Sequence, residues 1–520
     1  MKRAAFILLL ILLSLLALTV RCWNLRDVFI EGGVFFVDPD CYSRMTRARM
    51  VAEGEAFTIH HHDFENHPKG TRPHTTAPLD WLIAAGNLLV KGGLRMAGGF
   101  ELLEAESLDV AGAMLPPLLG ALACAALVLT LFRSDGKGAR SGAVAGGLLL
   151  AVSPIVVHGT LLGRPDHQAL LIPLITVALA GELRFAARPS RGAASIASIA
   201  WALACWVSLY EPLVLLCLVL FYWLIVDRGR FTSRETRVGW SVFGAIVVAA
   251  LVIDGWRVSL PEISVRQAFV RWSGGIGELQ RPTATSVLAW IGWLAVPAPV
   301  LLILNRSRPA ILALIVLLAT AALTFWHARW GYFVAVAFCA SLPWVFQSLK
   351  RTWLAWIAFS IGLWPVAKAW DAQLFPDKDG EQRATIQRLE NVSLRKLALR
   401  QQANAPGGFI APWWLSPAVA YWSRQPGVAG SSHESLPGIE ATARFYLADD
   451  PVAAAQVIRD RKVTCVISDD STRVLANSAA ILGVPVPVGE PLALTLDHYP
   501  AKVPPWLQRI APPTNPGIID

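Results

Sequence analysis

Charged side chains are scarce in this chain. Asp, Glu, Lys and Arg together make up 16% of its 520 residues, well below the roughly 25% that is usual in soluble domains. Hydrophobic residues reach 54%, and the mean hydropathy is +0.48. This composition argues against an ordinary soluble enzyme and is typical of a polytopic membrane protein.

Cysteine provides no structural framework. The seven cysteines are scattered along the chain, and four of them lie inside apolar runs, namely Cys124, Cys205, Cys217 and Cys339. Their spacing matches no metal-binding pattern, and no disulfide framework can be argued from it.

The first apolar run lacks a signal-peptidase site. Met1-Lys2-Arg3 and the apolar residues 4–20 have the basic start and apolar core of a signal peptide. No small-x-small pattern follows in residues 18–23. We therefore favour an uncleaved first transmembrane helix over a removed signal peptide.

Long apolar runs occur throughout the first 370 residues. About 20 mainly apolar residues are needed to cross a bilayer as a helix. Residues 79–96 are more polar, with Asp80 and Lys91, and form either a surface helix or a further span. Eleven segments qualify as spans: 4–20, 108–132, 140–157, 168–187, 193–209, 211–226, 238–254, 285–304, 309–325, 331–349 and 352–370.

Basic residues divide the loops into two classes. Alternate loops hold sixteen Lys and Arg residues, whereas the short hinges between them hold only Arg164 and Arg329. The positive-inside rule places the richer class in the cytoplasm. The net charge of +9 is thus largely explained without nucleic acid. The sixteen are Lys2, Arg3, Arg133, Lys137, Arg140, Arg184, Arg188, Arg191, Arg228, Arg230, Arg234, Arg237, Arg306, Arg308, Lys350 and Arg351.

Acidic residues gather on the outer side of this topology. Asp38 and Asp40 lie in the first outer loop (21–107), Asp166 lies in the second outer hinge, and Glu278 lies in the fourth outer loop. Acids beside membrane spans usually indicate function or pairing. Carboxylate oxygens suit a hard divalent cation, which could act as a Lewis acid on a phosphate leaving group.

The acidic first-loop segment also has a purely structural interpretation. Asp40 could be the N-cap of a helix that carries Arg44, Arg47 and Arg49 at helical spacing. Arg329 beside Trp330 could likewise clamp an anion or serve as an interfacial anchor.

Histidines of the first outer loop are less informative. The run His60-His61-His62-Asp63 has no fixed ligand geometry, and we do not expect it to be a zinc site. His74 could contact a phosphate or simply order the loop.

The composition becomes polar after residue 370. Residues 383–402 are predicted to form an amphipathic helix, and residues 408–411 and 463–468 to form buried strands. Between the strands, Asp450-Pro451 marks the start of a helix. This order predicts a small α/β domain over 371–520 on the outer face, following a transmembrane domain over 1–370.

Several of these segments resemble motifs of the GT-C glycosyltransferases, specifically the catalytic subunit of oligosaccharyltransferase. Asp38-Pro-x-x-x-x-Arg44 and Arg164-Pro-Asp166-His167-Gln168 resemble its two acidic motifs. Glu278-x-Gln280-x-Pro282-Thr283 resembles its glutamate motif, and Arg329-Trp resembles its Arg-Phe segment. Pro412-Trp413-Trp414 resembles the start of its Trp-Trp-Asp-Tyr-Gly motif. The motifs share the order and the sidedness of the family.

The resemblance implies a role for each of these residues. Asp38, Asp166 and Glu278 would be the catalytic residues and would bind Mn²⁺ or Mg²⁺, with Asp40, His167 and Gln168 supporting them. Arg329 and Arg44 would contact the donor phosphate, and His74 is a further candidate for that contact if it does not simply order the loop. Trp413 and Trp414 would mark the acceptor region. The donor would be a sugar or glycan on a polyprenyl phosphate or diphosphate.

Two departures weaken the resemblance, one at the acceptor and one in the second acidic motif. Leu415-Ser416 follows the two tryptophans, so the aspartate that would bind the acceptor hydroxyl is missing. Gln168 replaces an acid in the second motif. We therefore do not predict transfer to Asn-x-Ser/Thr.

The sequence thus predicts a polytopic α-helical membrane protein of the GT-C type, with about eleven transmembrane helices and a C-terminal α/β domain outside the cytoplasm. It would be a glycosyltransferase of the inner (cytoplasmic) membrane, acting on a membrane-lipid donor and on a protein or glycolipid acceptor, with no nucleic-acid partner. A transporter or flippase for lipid-linked glycans and an inactive relative that only binds a partner remain alternatives. Transporters usually keep their polar groups near the membrane midplane, whereas the acids here gather outside.

Overall fold

The structure is a computed structural model that describes residues 3–74, 77–96, 104–132, 136–255 and 266–510. Of the predicted loop cations, Lys2 and Arg133 lie outside these ranges. The chain divides into two units. The first contains Met1–Val34, Thr75–Trp256 and Glu278–Glu381, and the second contains Phe35–His74, Arg257–Gly277 and Gln382–Asp520. A domain boundary at residue 370 stays a prediction.

The first unit consists of helices and one short antiparallel hairpin, Phe29–Ile30 with Gly33–Val34. Its described helices of four residues or more are Arg3–Arg21, Leu25–Val28, Pro78–Met96, Glu104–Leu131, Lys137–Val152, Pro154–Gly159, Gln168–Ala187, Arg191–Val207, Tyr210–Val226, the 3-10 helix Arg228–Phe231, Arg234–Asp254, Ala284–Ile291, Ala298–Asn305, Arg308–Trp326, Gly331–Ser348, Thr352–Gly362 and Trp364–Leu374.

Six helical segments in the described ranges are long and apolar enough to cross a membrane, judged by length and composition: Arg3–Arg21, Ser107–Leu131, Gln168–Ala187, Arg234–Asp254, Arg308–Trp326 and Ala328–Ser348. Arg191–Val207 and Tyr210–Val226 are shorter apolar helices. The number of eleven spans stays a prediction.

Three predicted spans are not continuous helices. The segments 140–157, 285–304 and 352–370 are each interrupted near their middle or end. Gly292 has φ +82°, and a Cβ there would overlap the carbonyl oxygen of Gly362. Two chain breaks therefore meet at glycines, because only glycine permits both the positive φ and this close approach. Hydropathy averaged over twenty residues conceals such breaks.

The helix Gly331–Ser348 is the centre of the first unit, since nearly all of its residues are buried. The helix Lys137–Val152 packs against it through Gly142 and Gly146. Side chains at these two positions would overlap the carbonyl oxygens of Leu342 and Cys339. Small residues at four-residue spacing let helix backbones approach closely, which is a common packing device in membrane proteins.

Arg21 ends the first helix and is fully buried. Its guanidinium donates to Thr160 Oγ1 at 2.7 Å, to Ala151 O at 3.1 Å and to Leu150 O at 3.2 Å. The last two carbonyls lie at the C-terminus of Lys137–Val152, where they have no partner within the helix. Pro154 prevents the helix from continuing, and Arg21 supplies hydrogen-bond donors to the carbonyls that are left without partners at its end.

Two short strands of the second unit, Gly408–Ile410 and Val463–Val466, pair in parallel, and several helices lie between them in the chain. The first strand is buried as expected, whereas Val463–Val466 is only partly buried, so the expectation of a buried second strand is wrong there. Asp450 accepts a hydrogen bond from Val452 N at 2.9 Å and so caps the helix Pro451–Asp460, whose start was expected at this position. The core includes Phe445, Tyr446 and Val474. The described helices of eight residues or more that lie in this unit or enter it are Pro39–Ala52, Arg266–Ser273, Lys378–Asn404, Ser416–Ser423, Leu436–Leu447, Pro451–Asp460 and Ser471–Leu482.

Candidate functional site

Arg329 is the centre of a charged network in the first unit. Its Nε lies 2.5 Å from Glu211 Oε1. Its Nη1 lies 3.4 Å from Glu278 Oε1, and its Nη2 lies 2.9 Å from His167 Nε2. The contact with Glu211 is an ion pair without hydrogen-bond geometry, whereas the other two nitrogens lie within hydrogen-bonding distance of their partners. The planar guanidinium thus contacts three partners at once, which the single ammonium of a lysine could not do in the same geometry.

The local backbone brings Arg329 and Glu278 together. Arg329 lies in the single turn Ala328–Trp330, between the helices Arg308–Trp326 and Gly331–Ser348. Ala328 N donates to Gln280 O at 2.8 Å, two residues beyond Glu278. One backbone hydrogen bond thus aligns two segments that are 48 residues apart in the chain.

Asp166 and His167 form the next part of the network. Asp166 Oδ1 lies 2.6 Å from both the backbone N and the ring Nδ1 of His167. A neutral imidazole satisfies its contacts if Nδ1 donates to Asp166 and Nε2 accepts from Arg329. Gln168 places its amide nitrogen 3.2 Å from the same Nε2. Asp166, His167, Glu278 and Arg329 are thus linked by direct contacts.

Glu211 is a member of this network that the sequence interpretation missed. Its side chain is completely buried, and Ser208 Oγ donates to its second oxygen at 2.8 Å. The available signal was a glutamate at the start of the apolar run 210–226. Ionisable residues in such runs are expensive unless they are paired.

Asp38 and Asp40 lie in the second unit. Asp38, and not Asp40, is the N-cap of the helix Pro39–Ala52, because its side chain accepts from Cys41 N at 3.1 Å. The alternative interpretation, in which Asp40 is the N-cap, is wrong. Pro39 occupies the first helical position, so Asp40 lies within the first turn, where it is exposed. Arg44 is buried on this helix. A metal shared by Asp38, Asp166 and Glu278 stays a prediction, as does a phosphate contact by Arg44.

His74 belongs to a separate group in the second unit. Its Nδ1 lies 2.6 Å from Glu434 Oε1, and the ring centroid of His433 lies 4.6 Å from its own. Burial alone would raise the pKa of the Glu434 carboxyl, but the two imidazoles hold that pKa below its usual range. A phosphate contact by His74 stays a prediction.

Trp413 and Trp414 pack within the second unit. Trp413 Nε1 donates to Asn477 Oδ1 at 2.9 Å, and the Trp413 ring contacts Trp272 edge to face. Trp414 Nε1 points at Asp469 Oδ2, 3.4 Å away. Ser416, which follows the missing aspartate position, is buried and donates its hydroxyl to Ala429 O at 2.7 Å. This hydroxyl is therefore already used within the fold.

No family model matches the sequence. A curated relative, dolichyl-phosphooligosaccharide-protein glycotransferase 1 of Archaeoglobus fulgidus, is 26% identical over 158 residues, which cover 30% of this chain and 24% of that protein. The matched region thus spans about a quarter of the relative.

Solved structures match over far more of the chain. Archaeal oligosaccharyltransferase AglB from Archaeoglobus fulgidus, in complex with an inhibitory peptide and a dolichol-phosphate, has a TM-score of 0.67 at 15% identity, covering 92% of this chain and 71% of that one. An oligosaccharyltransferase of the same organism, in complex with zinc and sulfate, has a TM-score of 0.62 at 15% identity, with 93% and 70% covered. ArnT from Cupriavidus metallidurans has a TM-score of 0.53 at 16% identity, with 90% and 94% covered.

These similarities agree with the motif resemblance and with the helical first unit. The predicted fold class is confirmed in its coarser part, a polytopic helical membrane protein. The chain has the GT-C fold and is similar to oligosaccharyltransferases.

Proposed function

We propose that this protein is a membrane glycosyltransferase that moves a sugar or glycan from a polyprenyl phosphate or diphosphate to an acceptor on the outer face of the inner membrane. The observation that carries the proposal is the network around Arg329. It joins three carboxylates, from Asp166, Glu211 and Glu278, to one guanidinium and one imidazole.

The network suits a reaction in which a phosphate group leaves. The buried Glu211 carboxylate contacts the Arg329 guanidinium on its buried side. The side chains of Arg329 and Glu278 remain 23% and 31% exposed. An arginine fixed in this way can meet an anion without first reorganising, and such preorganised charge is an effective form of catalysis. Arg329 would bind the departing lipid phosphate.

The carboxylates are chemically suited to a divalent cation. Asp166 and Glu278, together with Asp38, would hold Mn²⁺ or Mg²⁺ through oxygen ligands. When bound, this ion would supply Lewis-acid stabilisation of the leaving phosphate. Glu211 would fix the guanidinium, and His167 would link Arg329 to Asp166. The acceptor would be a protein or a glycolipid.

The relatives support the donor class. AglB is described in complex with a dolichol-phosphate, which is a polyprenyl-type carrier. A second oligosaccharyltransferase structure contains zinc and sulfate, a cation with a phosphate-like anion. A donor on a lipid phosphate and a divalent cation are therefore the assignments to test first.

The test uses the full chain purified in detergent with a radiolabelled sugar on a polyprenyl phosphate and, separately, on the diphosphate. Membrane lipids and proteins are supplied as acceptors. We expect Mn²⁺- or Mg²⁺-dependent loss of sugar from the donor, and loss of activity in Glu278→Gln and Asp166→Asn. Asp371→Asn is the matched control, because Asp371 is an exposed acid of the same unit with only a 3.8 Å contact to Lys368.

Two other outcomes would contradict the proposal. Movement of intact donor across vesicle membranes, without cleavage of the sugar–phosphate bond, would indicate a flippase. Donor binding without transfer to any supplied acceptor, unchanged in Glu278→Gln, would indicate an inactive binding protein.

A further inference from the structure

We propose that His74, His433 and Glu434 form a zinc site in the second unit. The site uses none of the residues in the Arg329 network. It goes beyond the proposed transferase activity, because its occupancy can be measured without any sugar donor.

The three side chains already converge. One ligand atom from each lies within 4.8 Å of the other two. His74 Nδ1 is 2.6 Å from Glu434 Oε1, and His433 Nδ1 is 3.5 Å from Glu434 Oε2. Ligand atoms bound to one Zn²⁺ at about 2.0–2.2 Å must lie somewhat over 3 Å apart. Small side-chain rotations are therefore enough to place an ion between them.

Glu434 provides a second, independent observation. Its side chain is only 8% exposed, and within the described part of the chain its Oε2 accepts no hydrogen bond, although His433 Nδ1 lies 3.5 Å away. A buried carboxylate oxygen without a hydrogen-bond donor is costly. A bound cation would satisfy this oxygen.

Hydrogen bonds of the neighbouring serines fix the loop that carries His433 and Glu434. Ser432 donates to Glu65 Oε2 at 3.3 Å, and Glu65 also accepts from Ser43. Ser435 Oγ donates to Ser432 O at 2.7 Å. Ligands fixed by such supporting contacts lose little freedom when a metal binds.

Other histidines of the second unit show what is special here. His61 contacts Asp63 at 3.0 Å, but these two side chains are 52% and 77% exposed. His498 contacts Asp497 at 3.3 Å, again largely in solvent. Neither pair belongs to a described group of three ligands. They show that a histidine–acid contact alone is an ordinary surface feature.

The donor set indicates the metal. Two imidazoles and one carboxylate are typical of Zn²⁺ rather than of Mg²⁺ or Ca²⁺, which prefer oxygen ligands alone. With three protein ligands, the fourth position is left for water or for a ligand anion. In the second unit the ion would tie the segment ending at His74 to the loop at His433.

The experiment measures metal retained by the full chain, purified through a tag without histidines. Protein is stripped with a chelator, reloaded with Zn²⁺ or Co²⁺, and dialysed. Asp166→Asn/Glu278→Gln serves as the background, so that ions on those carboxylates do not contribute. We expect one tightly held metal per chain in this background and a Co²⁺ visible spectrum of tetrahedral intensity.

The variants decide the assignment. His433→Ala and Glu434→Gln should each weaken the affinity at least roughly tenfold, the lower end of the 10–100-fold loss caused even by changing a supporting residue. His498→Ala should bind as the background does. His74→Ala, at a more exposed position, keeps the test available if either of those changes prevents folding.

The proposal is overturned if the background protein retains no more zinc than a chelator-treated sample. Equal affinity in His433→Ala, Glu434→Gln and the background would also overturn it. A protein that binds zinc here but transfers no sugar would contradict the proposed function and leave the metal site standing.

Discussion

Replacing Arg329 with methionine removes the cation that faces Glu211 inside the first unit. The Glu211 side chain is completely buried, and the Arg329 side chain is 23% exposed. Methionine roughly preserves the volume of the aliphatic stem but leaves an uncompensated carboxylate. Removing one partner of a buried ion pair typically costs about 3–5 kcal/mol. Ser208 still donates to Glu211, so we expect a loss near the lower end, about 3 kcal/mol.

The matched variants separate the charge from the packing. Glu211→Gln combined with Arg329→Met removes both charges, so the double variant should recover about 1–2 kcal/mol of the loss, within the coupling range of contacting residues. Arg308→Met is the control, because Arg308 and Asp227 are 57% and 37% exposed and 3.2 Å apart. An exposed pair of this kind contributes at most about 1 kcal/mol.

Thermal unfolding in detergent, followed through the fluorescence of the 21 tryptophans, reports the stabilities. A further variant, Arg329→Lys, is assayed for sugar transfer as well as for thermal stability. We expect it to fold, because the charge near Glu211 is kept, and to lose activity, because one ammonium cannot reach three partners. The reasoning is refuted if Arg329→Met unfolds at the wild-type temperature, or if the double variant is no more stable than Arg329→Met.

Three further predictions concern the acceptor, the topology and the pH dependence. Transfer to Asn-x-Ser/Thr peptides should be weak or absent, because losing a charge-assisted hydrogen bond costs about 1.5–3 kcal/mol, a roughly tenfold to hundredfold effect. Leu415→Asp alone should not restore it, since Pro417 fixes the backbone two residues on; robust wild-type transfer to asparagine would disprove this. Val488→Cys replaces a fully exposed side chain, and an impermeant thiol reagent should label it in intact cells. Lys137→Cys should react only after lysis. The reverse pattern would invert the predicted topology. Burial raises the pKa of the Glu65 carboxyl, although the Ser43 hydroxyl partly opposes this. Stability from this group is therefore full below the ordinary value of about 4.3 and is lost as the pH rises through the raised pKa. The melting temperature of Glu65→Gln relative to wild type should increase from pH 4 to pH 7, and a constant difference would show that folding does not raise the pKa of Glu65.

The spans were predictable where the chain is uniformly apolar. Runs such as 168–187 and 309–325 reappear as the helices Gln168–Ala187 and Arg308–Trp326, within a residue at each end. The interrupted segments were not, because hydropathy is insensitive to backbone φ. Gly292 contributes nothing to a hydropathy average, yet its positive φ and its contact with Gly362 end a helix.

The charged network was only partly predictable. Asp166, Glu278 and Arg329 stood out because they flank apolar runs in recognisable motifs. Glu211 did not, although it is the most buried of the acids. Its importance depends on a contact with a residue more than one hundred positions later, which no local pattern reveals. The N-cap at Asp38 is a local effect, but the sequence interpretation assigned it to Asp40 because it overlooked that Pro39 favours the first helical position.

The buried Arg21 has a consequence for biosynthesis. Its acceptors at Leu150, Ala151 and Thr160 lie 129 to 139 residues later in the chain. While those residues are unmade, the guanidinium must stay in water or among lipid headgroups, because burying it without acceptors is too costly. The first helix can therefore enter the membrane early. It can reach its final position in the membrane only after the chain has emerged from the ribosome past residue 160. A ribosome stalled before that point would hold an intermediate whose first helix is still free to shift, and crosslinking from Ala17 to lipid should fall once synthesis passes it.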